Sequence, residues 1–339
     1  MPEDPRSGAR GGAWSAPTPQ LQLALRQPVL AALPDLGVVA ARGADATQFL
    51  NSQLTVDVTA VDAGRWQLGA YCSVKGRVLA LFEMWKADDG FRLLLPAALT
   101  GSLCTRLARF VLRSKVRLED ASGDWCVFGL TGPGIEAALQ AAGLTCPQAP
   151  WTVQALDASA RLARVPPSPR TGARFMLAVP AGAAQAWKQK LAAAAEVEAG
   201  VWWWSKVDAG LPEVVEDTQE RFVPQMLNLD VLGGVHFRKG CYPGQEVVAR
   251  SQYLGKLRRR MMRGHAEAAD AAEDVFREDD AASPVGTVVM AAASPDGGVD
   301  VLFECPTELA AGVPLRVGAP QSGRMSLGEL PYPMINPTA

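Results

Sequence analysis

The chain has 339 residues, 48% of them hydrophobic, with 33 basic against 35 acidic side chains and a net charge of −2. That size supports two domains, or one large domain with an appendage, and the near-neutral charge argues against a general nucleic-acid coat, which needs a basic face. Six cysteines without a CxxC pair, two histidines, no membrane-length apolar run and no charged-then-apolar leader lead us to expect a reduced, cytoplasmic protein without a histidine-rich metal site.

In chain order, residues 1 to about 20 are rich in Gly, Pro, Ser and Ala and read as a disordered tail. Residues 37–41 read as a strand, and the helix after it takes Asp45 as N-cap with Phe49, Leu50 and Leu54 on one face. Residues 66–96 read as a hairpin or meander turning at Gly76-Arg77 and Asp88-Asp89-Gly90, and residues 99–111 have helical spacing. Residues 125–130 are strand-like, and Gly132-Pro133-Gly134 opens a helix. That turn lacks the lysine and Ser/Thr of a P-loop and the third glycine of a dinucleotide fingerprint, so its reading is structural.

Residues 166–169 (Pro-Pro-Ser-Pro) read as a loop, 175–179 as a strand and 183–195 as an alanine-rich helix. The strand–strand–helix order occurs twice, which points to an α+β domain of two similar halves instead of a parallel doubly wound sheet. Beyond Leu254, short strands such as 285–290, followed by the turn 295–298, read as a small β-barrel.

Chemistry concentrates in Lys239-Gly240-Cys241-Tyr242-Pro243-Gly244-Gln245-Glu246. Gly240 and Gly244 permit a tight turn and Pro243 fixes one dihedral. A lysine two residues from a cysteine favours the thiolate, which describes a presented, reactive sulfur. The alternative is a Gly/Pro turn around a buried cysteine, the usual place for that residue. Cys72, Cys104, Cys126, Cys146 and Cys305 read as core, and His236 and His265 carry no functional reading.

The run from Phe222-Val223-Pro224-Gln225-Met226-Leu227-Asn228-Leu229 through Leu232-Gly233-Gly234-Val235-His236-Phe237 to Val247-Val248-Ala249-Arg250 resembles the signature of the YgfZ family of folate-binding proteins, relatives of the glycine-cleavage T-protein. That signature is Pro-Gln, Asn-Leu, Gly-Ile-x-Phe and Lys-Gly-Cys-Tyr-x-Gly-Gln-Glu. Residues 49–58 and Arg113-Ser114-Lys115-Val116 agree more weakly, and the resemblance spans about residues 35–330. It implies a tail over 1–34, a two-half folate-binding domain of the aminomethyltransferase type over 35–253, and a C-terminal β-barrel over 254–335. It further implies tetrahydrofolate or another reduced folate as cofactor, and support of iron–sulfur cluster assembly or repair and thereby tRNA methylthiolation. The partners would be iron–sulfur assembly proteins or iron–sulfur client enzymes, with Cys241, beside Lys239, as the functional thiol. A single thiol cannot hold a cluster, which takes about four protein ligands, so a partner has to supply the others.

Trp202-Trp203-Trp204, followed by Asp208, is the second constellation. Three adjacent indoles cannot all face one way, so one is expected to point out of the core, where it could stack on a pterin while a carboxylate takes the pterin N–H donors. Ordinary core packing is the alternative. The resemblance places Trp202 and Asp208 at the folate site, with Gln225 added from the Pro-Gln motif. Asp208 replaces a longer glutamate, and Leu36 stands where the family has a second tryptophan, leaving that wall to Trp66 or another Trp.

After the turn Lys75-Gly76-Arg77, Ala80 and Leu81 occupy positions where the T-protein carries acidic residues. Neither can act as a base, which disfavours an aminomethyltransferase; Glu83 is two residues on, on the same strand face as Leu81. A cofactor-free scaffold is the remaining rival. The dense basic run 256–263 lacks interleaved aromatics, so it is read as solvated and direct RNA contact is not expected.

Overall fold

The computed structural model describes residues 14–157, 159–253, 258–310, 313–319 and 323–334. The chain opens with α1 (Thr18–Leu23), β1 (Val29–Ala32), β2 (Leu36–Arg42), α2 (Ala46–Asn51), β3 (Trp66–Cys72), β4 (Val78–Ala87), β5 (Gly90–Pro96), α3 (Ala97–Ala108) and β6 (Arg117–Asp120). Next come β7 (Trp125–Thr131), α4 (Ile135–Ala141), β8 (Thr152–Ala155), β9 (Arg161–Ser168), β10 (Gly172–Pro180), α5 (Ala184–Lys190), β11 (Ala195–Val197) and α6 (Ala199–Asp208). After α7 (Gln245–Tyr253) follow β12 (Arg259–Ala266), β13 (Asp274–Arg277), β14 (Asp280–Ala293), β15 (Val299–Pro306), β16 (Leu315–Val317) and β17 (Arg324–Gly328).

These strands build a five-stranded sheet (β3-β4-β5-β2-β6), a six-stranded sheet (β11-β1-β7-β10-β9-β8) and a closed barrel (β12-β15-β14-β13-β16-β17). The two-half α+β reading and the C-terminal barrel both hold. Alternation along β4 divides two cores: Leu81 and Trp85 join the central one, while Ala80, Phe82 and Met84 pack under α2 and α3. Helix α6 is buried all round and lies where β1, β7 and β9 meet strands β14 and β15 of the barrel.

Four local expectations need correction. Residues 14–34 are part of the fold: Trp14 bridges to Ala292 and stacks on Trp203 at 4.7 Å, and β1 sits between β11 and β7. One large indole and the buried Leu21 hold a segment whose composition looks like tail. Residues 1–13 lie outside the described residues. The alanine-rich helix ends at Lys190, because Ala195 pairs with Val29 to add β11 to the sheet. Pro166 and Pro167 belong to β9 beyond its pairing with β8, where a missing N–H on that edge costs no ladder bond. Asp45 does precede α2, but its carboxylate accepts the backbone N–H of Lys115 (2.6 Å) instead of capping the helix.

Candidate functional site

Three of the stretches singled out in the sequence meet at one corner. The Cys241 turn packs on the Lys75-Gly76-Arg77 turn through its glycine: Gly244 has φ +80°, and a Cβ there would run into the Ser73 carbonyl and Gly76. Lys239 reaches residues 49–58, where its ammonium donates to the carbonyls of Asn51, Leu54 (2.7 Å) and Val56 (2.9 Å). Burial pushes the Lys239 pKa down to about 8, with Asp57 pulling the other way. Lys239 is thus a half-buried tie between motifs instead of a solvated side chain.

Cys241 is exposed, and the other five cysteines are buried or half-buried. Burial raises the thiol pKa of Cys72 and Cys305 to about 12 and of Cys104 to about 11, and it raises Cys126 and Cys146 as well. The structure thus exposes the Cys241 sulfur, while the Lys239 ammonium donates to the carbonyls of the 49–58 stretch. Among the described residues no group of three or more His, Cys, Asp or Glu could hold a metal.

The tryptophan constellation lies inside. Trp202, Trp203 and Trp204 are 2%, 1% and 0% exposed, so no indole of the three points into solvent. They all fit because α6 is enclosed by both a sheet and the barrel. The Trp202 ring lies against Gly129, where a Cβ would collide with it, and the Arg174 guanidinium sits 4.1 Å from its centroid. Asp208 is fully buried, taking Ser168 Oγ (2.5 Å), the Arg170 N–H (3.0 Å) and the Arg263 guanidinium (2.6 Å). Its carboxylate pins the turn after β9 to the barrel.

Gln225 is also fully buried; its side-chain amide donates to the Val248 carbonyl (2.6 Å) on α7 and its backbone carbonyl accepts from Arg260. Trp66 is buried as well, stacked on Trp85 at 4.6 Å and donating to Glu83 (2.7 Å).

A cleft of about 450 Å³ opens beside these groups. Trp151, Pro166, Pro167, Ser168, Ala209 and Tyr332 are among its walls. Its volume and mainly apolar lining are those of a small-molecule site. Trp151 has φ +64°, a left-handed conformation that an aromatic residue seldom adopts and that recurs at ligand sites. Asp208 stands directly behind Ser168, and Trp202 stands behind Pro166 through Arg174, which donates to the Pro166 carbonyl (3.2 Å). Neither Trp202 nor Asp208 lines the cleft itself.

Sequence reasoning missed a buried charge group next to this region. Lys206 on α6 pairs with Glu213 (2.7 Å) and Glu83 (3.6 Å). Burial pushes Glu213 up, opposed by Lys206, and burial lowers Arg174 to about 9. The signal was present: a lysine and an aspartate on an otherwise largely apolar helix each demand a buried partner. The basic run corrects in the same way. Among its described residues, Arg259 pairs with Glu304, Arg260 with Asp230 and Arg263 with Asp208, so these arginines fasten β12 instead of lying in solvent. Residues 256–257 lie outside the described residues.

No family model matches the chain. Among curated proteins it is similar to the tRNA-modifying protein YgfZ of Sodalis glossinidius, 30% identical over 321 residues that cover 93% of this chain and 95% of the relative. The tRNA-modifying protein YgfZ of Yersinia pestis (strain Pestoides F) is 30% identical over 89% of this chain and 92% of its own. Among solved structures, the glycine cleavage system aminomethyltransferase T from Bartonella henselae superimposes with a TM-score of 0.76 at 18% identity, covering 96% of this chain and 94% of the other, which shows a shared fold. No helix among the described residues is long and apolar enough to cross a membrane. With curated relatives at that identity over nine-tenths of its length, the chain belongs to the YgfZ family.

Proposed function

We propose that this protein is a folate-binding accessory factor of tRNA modification that supports iron–sulfur enzymes, with Cys241 as its functional thiol. The observation that carries the reading is the exposure of Cys241 at the junction of the Lys239, Gly76 and residue 49–58 motifs, while burial holds back the other cysteines. The name of the relatives, tRNA-modifying protein, supports the tRNA part of the reading. One exposed thiol serves a transient cluster contact or mixed disulfide, with the remaining cluster ligands coming from an iron–sulfur assembly protein or client enzyme.

A reduced folate, such as tetrahydrofolate, fits the Trp151–Tyr332 cleft by size and apolar lining. Trp151 offers the flat ring to stack on, and Ser168, its hydroxyl held by Asp208 and by the Arg170 and Thr171 N–H groups, fixes the wall beside it. Asp208 meets the pterin only by exchanging its Ser168 bond, so here Asp208 orients Ser168 and Trp202 backs the wall through Arg174. Aminomethyl transfer, the activity named for the structural neighbour, has less support: Ala80 and Leu81 are buried and apolar, and Glu83, on the Leu81 face, is engaged by Trp66 and Lys206. Calorimetric titration with tetrahydrofolate tests the reading. Saturable binding weakened by Trp151→Ala and Ser168→Ala is expected. Absence of binding favours a scaffold that keeps the fold alone, and turnover with an aminomethyl donor favours the transferase.

A further inference from the structure

The loop after α3 is used by neither the thiol nor the folate reading. Arg106 in the last turn of α3 and Arg109, Arg113 and Lys115 beyond it are exposed and make no ion pair among the described residues. Between them stand two apolar side chains in solvent, Phe110 at 47% and Leu112 at 89% exposure. Leu112 has φ +45°, so the fold maintains an unusual backbone to keep this tip as it is. A groove of about 710 Å³ runs along the loop, lined by Asp45, Phe110, Val111, Leu112, Arg113 and Ser114. A smaller one of about 340 Å³ shares Asp45, Phe110 and Ser114 and reaches Gln48 and Ser52.

The whole chain is slightly acidic, so four such cations between Arg106 and Lys115 do not follow from overall composition. Cations alone would read as a solvated face, and an apolar tip alone as a protein contact. Cations interleaved with an exposed aromatic are what single-stranded nucleic acid takes, with phosphates on the charges and a base on the ring. The groove lining adds hydrogen-bond acceptors. Asp45, held by the Lys115 N–H, puts a carboxylate beside Ser114, and Gln48 adds an amide. Base edges present donors that such groups accept from.

We propose that this face seats a single-stranded RNA segment, its phosphates on Arg106, Arg109, Arg113 and Lys115 and one unstacked base against Phe110 in the groove. The expectation against RNA contact concerned residues 256–263, where Arg259, Arg260 and Arg263 are internally paired; this is a different surface. The proposal stands independently of folate binding and of the Cys241 thiol.

The test is fluorescence anisotropy of a labelled, short, mixed-sequence single-stranded RNA with the full chain, across a salt series. Four contacts predict a log–log salt slope of about −3. Arg109→Gln/Arg113→Gln should halve that slope. Phe110→Ala should weaken binding by roughly five- to 150-fold, the range of base–aromatic stacking, while leaving the slope unchanged. Arg277→Gln on the barrel should change neither. All these side chains are at the surface, and a thermal melt of each variant confirms that it folds. No binding at low salt, a Phe110→Ala variant as tight as the parent, or displacement of the RNA by polyaspartate as effectively as by unlabelled RNA overturns the proposal. Sedimentation with phosphatidylserine vesicles that is lost in Phe110→Ala, without RNA binding, assigns the face to a membrane and overturns it equally.

Discussion

Gly76 and Gly244 meet turn against turn: a Cβ on Gly244 would stand 2.6 Å from both the Cα and the N of Gly76. Each has a positive φ, +69° and +80°. The contact joins the Lys75-Gly76-Arg77 turn to the Cys241 turn across about half the chain, and only residues without a side chain allow so close an approach. It makes the position of Cys241 a property of two motifs at once.

Gly244→Ala should therefore destabilise the protein by about 2 kcal/mol or more, from left-handed backbone strain plus the clash with Gly76. Gly240→Ala is the control. Gly240 is not in that conformation, and a Cβ there would meet nothing within 4 Å, so its effect should be a few tenths of a kcal/mol at most. Urea midpoints of the two variants decide it, and equal values would remove the interlock from the account.

Lys239→Met should lower stability by about 1.5–3 kcal/mol, because it leaves the carbonyls of Asn51, Leu54 and Val56 without their shared charged donor. A turn lysine in solvent would change almost nothing. Thermal melts at neutral pH separate the two outcomes, and an unchanged melt assigns Lys239 to the thiol instead of to the carbonyls.

Asp208→Ala should cost about 3–5 kcal/mol, since it strands the Arg263 guanidinium and removes the acceptor for Ser168 and the Arg170 N–H. The double change Asp208→Ala/Arg263→Met should recover part of that loss by deleting the unpaired charge. If the double variant is as unstable as the sum of the two single ones, the pair is not coupled. Folate affinity of an Asp208 variant is informative only once this stability loss has been measured.

How much of this was legible follows the range of the interaction. The β3–β5 meander and the barrel were readable because their turns carry local chemistry, at Gly76, at Asp88-Asp89-Gly90 and over residues 295–298. Cys241 was readable because its turn is punctuated by Gly and Pro. The fate of Trp202 was not: whether an indole on an apolar helix sees solvent depends on what covers the helix, and here the barrel, more than fifty residues downstream, does so. Likewise nothing local says that Lys239 will find carbonyls some 185 residues away, or that Trp151 will adopt φ +64° at a cleft wall. Trp14 reads as tail because a single aromatic among glycines has no period, yet it completes a stack on Trp203.

Trp202 now calls for a gentler test than deletion. Trp202→Ala would open a large cavity and cost about 3–5 kcal/mol on its own. Trp202→Phe keeps most of the ring under Arg174, so it should fold and bind tetrahydrofolate within a few-fold of the parent, whereas Trp151→Ala should weaken binding by about 1–3 kcal/mol if the cleft is the seat. The reverse ranking would move the pterin from the cleft to the Trp202 ring.

Cys241 gives the last test. In the native protein it should be alkylated before the other five cysteines, because reactivity needs both access and thiolate, and burial denies those five one or both. Peptide mapping by mass spectrometry after a short pulse at neutral pH reads the order directly. The Lys239→Met variant refines the cause: because the ammonium is held by carbonyls, its loss should not slow labelling through charge, and a looser turn should leave the rate equal or faster. Slower labelling would restore the lysine as the activating cation. Cys241→Ser should then keep the fold and folate binding but fail to restore iron–sulfur enzyme activity in cells lacking the native protein. Full rescue by the serine variant, or labelling of Cys126 as fast as Cys241, would reduce the motif to a structural turn.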